Sequence, residues 1–224
     1  YGKPVFHLAA DRQCAGQVPG EPKGPEVILV STEHSPSYFD QATMDKTRLN
    51  FIRTCKAADK HDRMRAYSPV TTLGRTIIVH AKLTIIDDVL LRIGSANINN
   101  RSMGFDSECD MSFEASGPDA AASRAEITHL RNTLLAHWLG CVDGDLEAAI
   151  AEAGSVGVAL ETLRTAGYAR LRPIEPKPVR GLEGFIARHH LGDPLGPDDS
   201  WRPWKRRKAL VAQQARARRQ IRPK

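Results

Sequence analysis

No apolar run in this chain approaches the ~20 residues that a transmembrane helix needs, which excludes a helical membrane-spanning protein. Cysteine is sparse: Cys14, Cys55, Cys109 and Cys141 stand tens of residues apart, with no Cys-x-x-Cys pair. That spacing argues against a zinc knuckle, and equally against a disulfide framework in a chain of 224 residues. Reduced thiols in the cytoplasm are the expectation. No Met stands at position 1, and Tyr1 to Ala10 has neither the charged nor the long apolar region of a signal peptide; a missing N-terminal stretch is expected. No group of Asp, Glu, His and Cys has the spacing of metal ligands, and the His189-His190 pair near Asp193 lacks a third partner. Neither a metal nor another cofactor is expected.

Acidic residues are absent from one long segment. Trp201 to Lys224 holds ten Lys and Arg and no Asp or Glu, so the net charge of +6 conceals a body with 22 basic and 26 acidic residues. The body is mildly acidic and the tail strongly basic. In the tail, Trp201 and Trp204 stand among Arg202, Lys205, Arg206, Arg207 and Lys208. A solvated tail and an attachment to an anionic membrane surface both fit, since indoles favour the interface and each basic residue near it contributes ~1 kcal/mol. Contact with nucleic acid is a further option.

The spacing of apolar residues predicts strands at Val27–Val30, Arg65–Val70, Ile77–Ile86, Val89–Ile93 and Cys109–Phe113, with Asp87-Asp88 as a hairpin turn between the third and fourth. Helical spacing covers Tyr38–Asp59 and Ala120–Leu139, and more weakly Leu146–Ala153 and Val158–Thr165. Gly and Pro crowd residues 1–25, which read as loop or a cut edge, and Pro173, Pro176 and Pro178 end regular structure beyond Leu171. The expected organisation is a layered α/β catalytic unit over 26–170, a mixed β-sheet flanked by helices, followed by a Pro-rich linker and irregular basic tail over 171–224.

Chemistry concentrates between Val79 and Glu114. His80 and Lys82 are two residues apart in a strand-like run, so both project from one face, with Val79, Ala81, Leu83 and Ile85 expected in the core behind them. An imidazole beside an ammonium packs poorly but suits an anion: one attacks or moves a proton and the other holds phosphate oxygens. Asp87 is better placed to hold the turn than to attack. Gly94-Ser95-Ala96-Asn97 follows the next strand with small and amide side chains for the same anion, and Glu108 is a candidate to orient the His80 imidazole. Singly each residue has a bland explanation; jointly, His-x-Lys-x4-Asp, six intervening residues and then Gly-Ser-x-Asn is specific.

This pattern, continued by Ile98-Asn99-Asn100-Arg101-Ser102 and Met103-Gly104-Phe105-Asp106-Ser107-Glu108, resembles the phospholipase D superfamily signature, most closely over Gly74 to Glu114. The resemblance implies a metal-free phosphodiesterase working through a phosphohistidine, with one active site built from two such motifs. On this chain it implies that His80 is the leaving-group acid, that Lys82, Ser95 and Asn97 contact the phosphate, that Glu108 orients His80 and that Asp87 is a support. The continuation resembles phospholipase D proper more than its nuclease cousins.

A second motif is missing. No other histidine has Lys two residues later: His7 is followed by Ala9, His34 by Pro36, His61 by Arg63 and His129 by Arg131. Either a partner half lies outside this sequence or two copies assemble the site across a twofold axis. The leading expectation is hydrolysis or transphosphatidylation of a glycerophospholipid such as phosphatidylcholine by a cytoplasmic protein, peripheral to membranes through its tail. The alternatives are a cardiolipin-synthase-like phosphatidyl transferase, a nuclease, or a non-catalytic remnant that binds phosphate or lipid with half a site.

Overall fold

A computed structural model describes residues 25–35, 45–104 and 106–175. The basic tail, the His189-His190 pair, Cys14, Phe105 and the expected helical residues 38–44 lie outside the described residues. In chain order the elements are β1 (Val27–Val30), α1 (Lys46–Ala58), β2 (Met64–Pro69), β3 (Leu83–Ile86), β4 (Leu90–Gly94), α2 (Asn100–Gly104), β5 (Asp110–Glu114), α3 (Ala120–Leu139), α4 (Asp143–Ala153), α5 (Val156–Thr165) and β6 (Leu171–Pro173). The fold is α/β, as the alternation of periods suggested. Its strands, however, form two three-stranded sheets rather than one, ordered β1-β2-β6 and β3-β4-β5.

The first sheet is mixed: β1 runs parallel to β2, and β6 antiparallel to it. Side chains alternate across β2, and both faces are covered, which is why this strand reads as nearly continuous burial. Tyr67 packs with Leu135 and Leu139 of α3, Leu146 of α4 and Leu160 of α5. Met64 and Ala66 meet Phe51, Ile52 and Cys55 of α1 on the opposite side. Leu171 and Ile174 are also buried, so the chain beyond Leu171 adds a short strand where prolines had suggested an end to regular structure. The strand survives because Pro173 is on β6, which is an edge strand among the described residues.

Polar groups fasten the helices to this sheet. Glu26 Oε1, just before β1, accepts from Ser155 Oγ at 2.8 Å, Gly157 N at 3.0 Å and Arg65 Nη1 at 3.2 Å. Ser155 is the N-cap of α5 and accepts from Val158 N at 3.1 Å, satisfying a donor that the helix cannot. α3 ends at Gly140, whose φ of 87° is the left-handed conformation that glycine adopts without a Cβ penalty. The Tyr67 hydroxyl donates to Glu161 at 2.5 Å; burial first, and then this bond, push the phenol above its ordinary range.

The second sheet is antiparallel throughout. Its first hairpin turns at Asp87 and Asp88, with φ of 53° and 54°, the two positive values that a tight hairpin of this hand requires. Asp88 also accepts from Arg131 Nη1 at 2.7 Å, tying the turn to α3. The predicted strand Ile77–Ile86 shortens to Leu83–Ile86. Residues ahead of it find other partners: Ile77 N donates to Pro69 O at 2.9 Å, and Val79 N donates to the Thr32 hydroxyl at 2.7 Å instead of to a neighbouring strand.

Of the expected core behind His80 and Lys82, Val79 and Ile85 are only half-buried and the rest is open to solvent. Ala81 is exposed, and the register places Leu83 beside Ile93 and Ile93 beside Met111, in a row that is 36%, 44% and 62% exposed. Phe113, on the same face next along β5, is 49% exposed. Leu91, on the same face between Ile85 and Phe113, is buried, so among the described residues the solvent-exposed apolar surface is the row Leu83, Ile93 and Met111 with Phe113, not the whole face.

Candidate active site

His80 and Lys82 sit in the extended segment immediately before β3, on its same side as predicted. Lys82 Nζ is 3.1 Å from His80 Nε2 and donates at 2.8 Å to the His80 carbonyl oxygen. An ammonium has only hydrogens to offer, so Lys82 is the donor wherever this contact is a hydrogen bond, and the roles of the two ring nitrogens follow the tautomer. An imidazole serves as nucleophile or base through an unprotonated nitrogen and as acid through a protonated one.

The end of β4 faces them. Gly94 N donates to Lys82 O at 3.1 Å, closing the start of the hairpin and bringing the following turn against the His-x-Lys segment. His80, Lys82, Ser95, Asn97 and Glu108, with Ala81, Leu83, Ile93 and Gly94, line one open cleft of about 640 Å³. Its lining combines these polar and cationic groups with Leu83 and Ile93, two members of the exposed apolar row.

Five of the six residues singled out from sequence therefore share one cleft. Asp87 does not: it lies exposed at the opposite end of the β3–β4 hairpin, in the turn. Glu108 is in the cleft, but its recorded bond is with Ser95, whose hydroxyl donates to Glu108 Oε2 at 2.5 Å and accepts from Cys109 N at 2.9 Å. The carboxylate thus holds the serine.

Sequence reasoning missed the supports of this turn. Asp110 Oδ1 accepts from Ala96 N at 3.2 Å, and Oδ2 accepts from Arg92 Nη2 at 2.8 Å. The Arg92 hydrogen bond, with the backbone donors of Ala96 and Ser95, holds the Asp110 carboxyl below its ordinary range despite partial desolvation. Asn99, buried, accepts from Ser102 N at 2.8 Å through Oδ1 and so starts α2. Asp110 had registered only as a polar neighbour in an alternating strand. Its position opposite Gly94, with Arg92 two residues earlier, was the available signal.

A separate cleft of about 250 Å³ is lined by Lys56, Asp62, Arg65, Tyr67, Glu161 and Arg164, among others. Its arginines are already paired, Arg65 with Glu26 and Asp62 and Arg164 with Glu161, so it reads as the polar rim of the first sheet. Among the described residues no group of three or more His, Cys, Asp or Glu is placed to hold a metal ion.

Residues 53–161 match the family model described as Phospholipase D. This segment belongs to the phospholipase D superfamily. It runs from within α1 to within α5 and contains the whole cleft. Among curated proteins, phospholipase D alpha 1 of Spuriopimpinella brachycarpa is 36% identical over 94 residues, which is 40% of this chain and 12% of that protein. The chain thus matches a small part of that relative's length. No solved structure matches.

Proposed function

We propose that the chain contributes one half of a phospholipase D-type phosphodiesterase site acting on a glycerophospholipid. The observation that carries this reading is the convergence of His80, Lys82, Ser95, Asn97 and Glu108 on one cleft within the phospholipase D segment. In the proposed reaction one histidine attacks phosphorus and a second, from another motif, protonates the departing alcohol. Water or an acceptor alcohol then attacks the phosphohistidine, gives up its proton to that second histidine and regenerates the first. Lys82 and the hydrogen-bond donors Ser95 and Asn97 hold the phosphoryl oxygens as charge develops.

With a single motif in this sequence, the second histidine comes from another half or from a second copy of the chain. In the former arrangement His80 is the leaving-group acid; in a symmetric pair one His80 attacks and the other protonates. Residues 26–170 are the proposed catalytic half, and the basic tail beyond them is the proposed membrane attachment. Among the described residues no helix is long and apolar enough to cross a membrane.

A lipid substrate is favoured over nucleic acid by the exposed apolar side chains of Leu83 and Ile93, which line the same cleft as the phosphate-holding residues. The relative's name, phospholipase D, points the same way. Incubation with headgroup-labelled phosphatidylcholine and, in parallel, plasmid DNA, after a second motif has been supplied, tests it. Headgroup release with intact DNA is expected, and cleavage of DNA alone would contradict it.

One observation favours a second reading, a half-site that binds phosphate without turning it over. Glu108 accepts from Ser95 rather than from His80, so among the described residues it does not serve as the imidazole's orienter. Phosphate binding without headgroup release in the two-motif assembly would select this reading.

A further inference from the structure

Asp110 and Arg92 lie outside the cleft, yet they hold the segment that supplies half of it. The turn after β4 crosses back to β5 through two backbone-directed bonds, Ser95 N to Cys109 O at 3.1 Å and Cys109 N to Ser95 Oγ at 2.9 Å. Beyond Ser95 the recorded tie is the Asp110 carboxylate, which takes the Ala96 N–H on one oxygen and the Arg92 guanidinium on the other. The carboxylate reaches this point because Gly94 leaves room for it. A Cβ at Gly94 would lie 1.8 Å from Asp110 Oδ1 and 2.6 Å from its Cα.

We propose that Asp110, held by Arg92 and admitted by Gly94, is a positioning clamp that presents Ser95 and Asn97 to a phosphate bound over His80 and Lys82. The proposal rests on the phosphodiester reading of the cleft. The clamp needs two acceptors at once, aimed in different directions from a short side chain. Asparagine keeps a single carbonyl oxygen and turns its amide hydrogens toward whichever donor remains. Glutamate has both oxygens but places them a methylene farther out, where Ala96 is no longer in reach without a shift. Glycine at 94 and aspartate at 110 therefore form a matched pair, since a side chain on the first evicts that of the second.

A structural ion pair alone would stabilise the sheet without affecting the cleft, and one experiment separates the two roles. In the full 224-residue chain, Asp110→Asn is compared with Arg131→Met, which breaks the pair with Asp88 at the far end of the same sheet. Amide exchange at Ala96 and the affinity for inorganic phosphate, read at the Ser95 and Asn97 amides, are followed by NMR, with the thermal midpoint as control. Loss of a charge-assisted bond should speed Ala96 exchange and weaken phosphate binding, each by about tenfold, in Asp110→Asn. Arg131→Met should lower the midpoint and leave both readouts within about twofold of wild type. Unchanged Ala96 exchange in Asp110→Asn, unchanged phosphate affinity despite faster exchange, or equal effects of the two variants would each overturn the clamp. If the wild-type chain binds no phosphate, the phosphodiester reading fails, and Ala96 exchange alone then decides whether Asp110 holds the turn.

Discussion

β2 and β4 are each the central strand of a three-stranded sheet, and they live in opposite environments. β2 is covered on both faces, by α1 on one and by α3, α4 and α5 on the other. β4 belongs to a sheet whose apolar row, Leu83, Ile93 and Met111, meets solvent. Apolar surface of this kind costs about 25 cal/mol per Å² relative to burial, so a sheet seldom leaves it bare without a use for it. The contrast divides labour: the first sheet and its helices hold the chain folded, and the second carries the cleft. The matched segment spans both parts, from inside α1 to inside α5, and takes in β2 and the whole second sheet while leaving β1 and β6 outside.

The division breaks most visibly by truncation. Leu160→Ala, at a fully buried position in α5, is expected to cost ~2–5 kcal/mol by transfer and cavity terms together. Chemical denaturation reads this as a lowered midpoint with unchanged slope. A loss under ~1 kcal/mol would mean that the first sheet is not the anchor.

The junction from α1 into β2 is the next largest. Asp59 accepts from His61 N at 3.0 Å and from Arg63 N and Met64 N at 2.7 Å. Burial pushes this carboxyl up, but the three backbone donors and the Arg65 charge outweigh it and hold it below its ordinary value. Its contribution is therefore complete above the ordinary carboxylate range and lost as pH falls through the lower folded value. Asp59→Asn should destabilise by ~1–2 kcal/mol at neutral pH and flatten the acid limb of the stability curve. An acid limb identical to wild type would show that Asp59 plays no such part.

Smaller still is the cap on α5. Ser155→Ala removes the acceptor for Val158 N and the donor to Glu26, and ~1 kcal/mol is expected by denaturation. At the bottom stands Phe113→Ser, in the exposed apolar surface, which should change the stability of the isolated chain by no more than ~0.5 kcal/mol. If Phe113→Ser costs as much as Leu160→Ala, that surface is covered in solution and the contrast between the sheets disappears.

Sequence patterning made the chemistry more legible than the packing. His80, Lys82, Ser95, Asn97 and Glu108 are recognisable because their spacing is fixed by a hairpin: two residues apart in the segment that leads into β3, then the turn at the far end of β4. The burial of Leu83 was misjudged because alternation says which residues share a face, not whether anything lies against it. The shortened third strand has a similar cause. Thr32, far away in sequence, takes the Val79 N–H that a ladder would have used. Asp110 escaped notice because its role depends on the empty space at Gly94, which only three-dimensional proximity reveals. The partner of Glu108 was likewise a choice between Ser95 and His80 that spacing alone leaves open.

The central claim is that His80 performs phosphodiester chemistry in a cleft that stability does not depend on. The direct test is turnover of a labelled phospholipid by the two-motif assembly, with wild type and His80→Asn compared at matched folded concentration. The account predicts a loss of at least ~10²-fold, the low end for a general acid and less than a nucleophile contributes, with the thermal midpoint unchanged because His80 is exposed. An assembly that turns over as fast with asparagine at position 80 would contradict it.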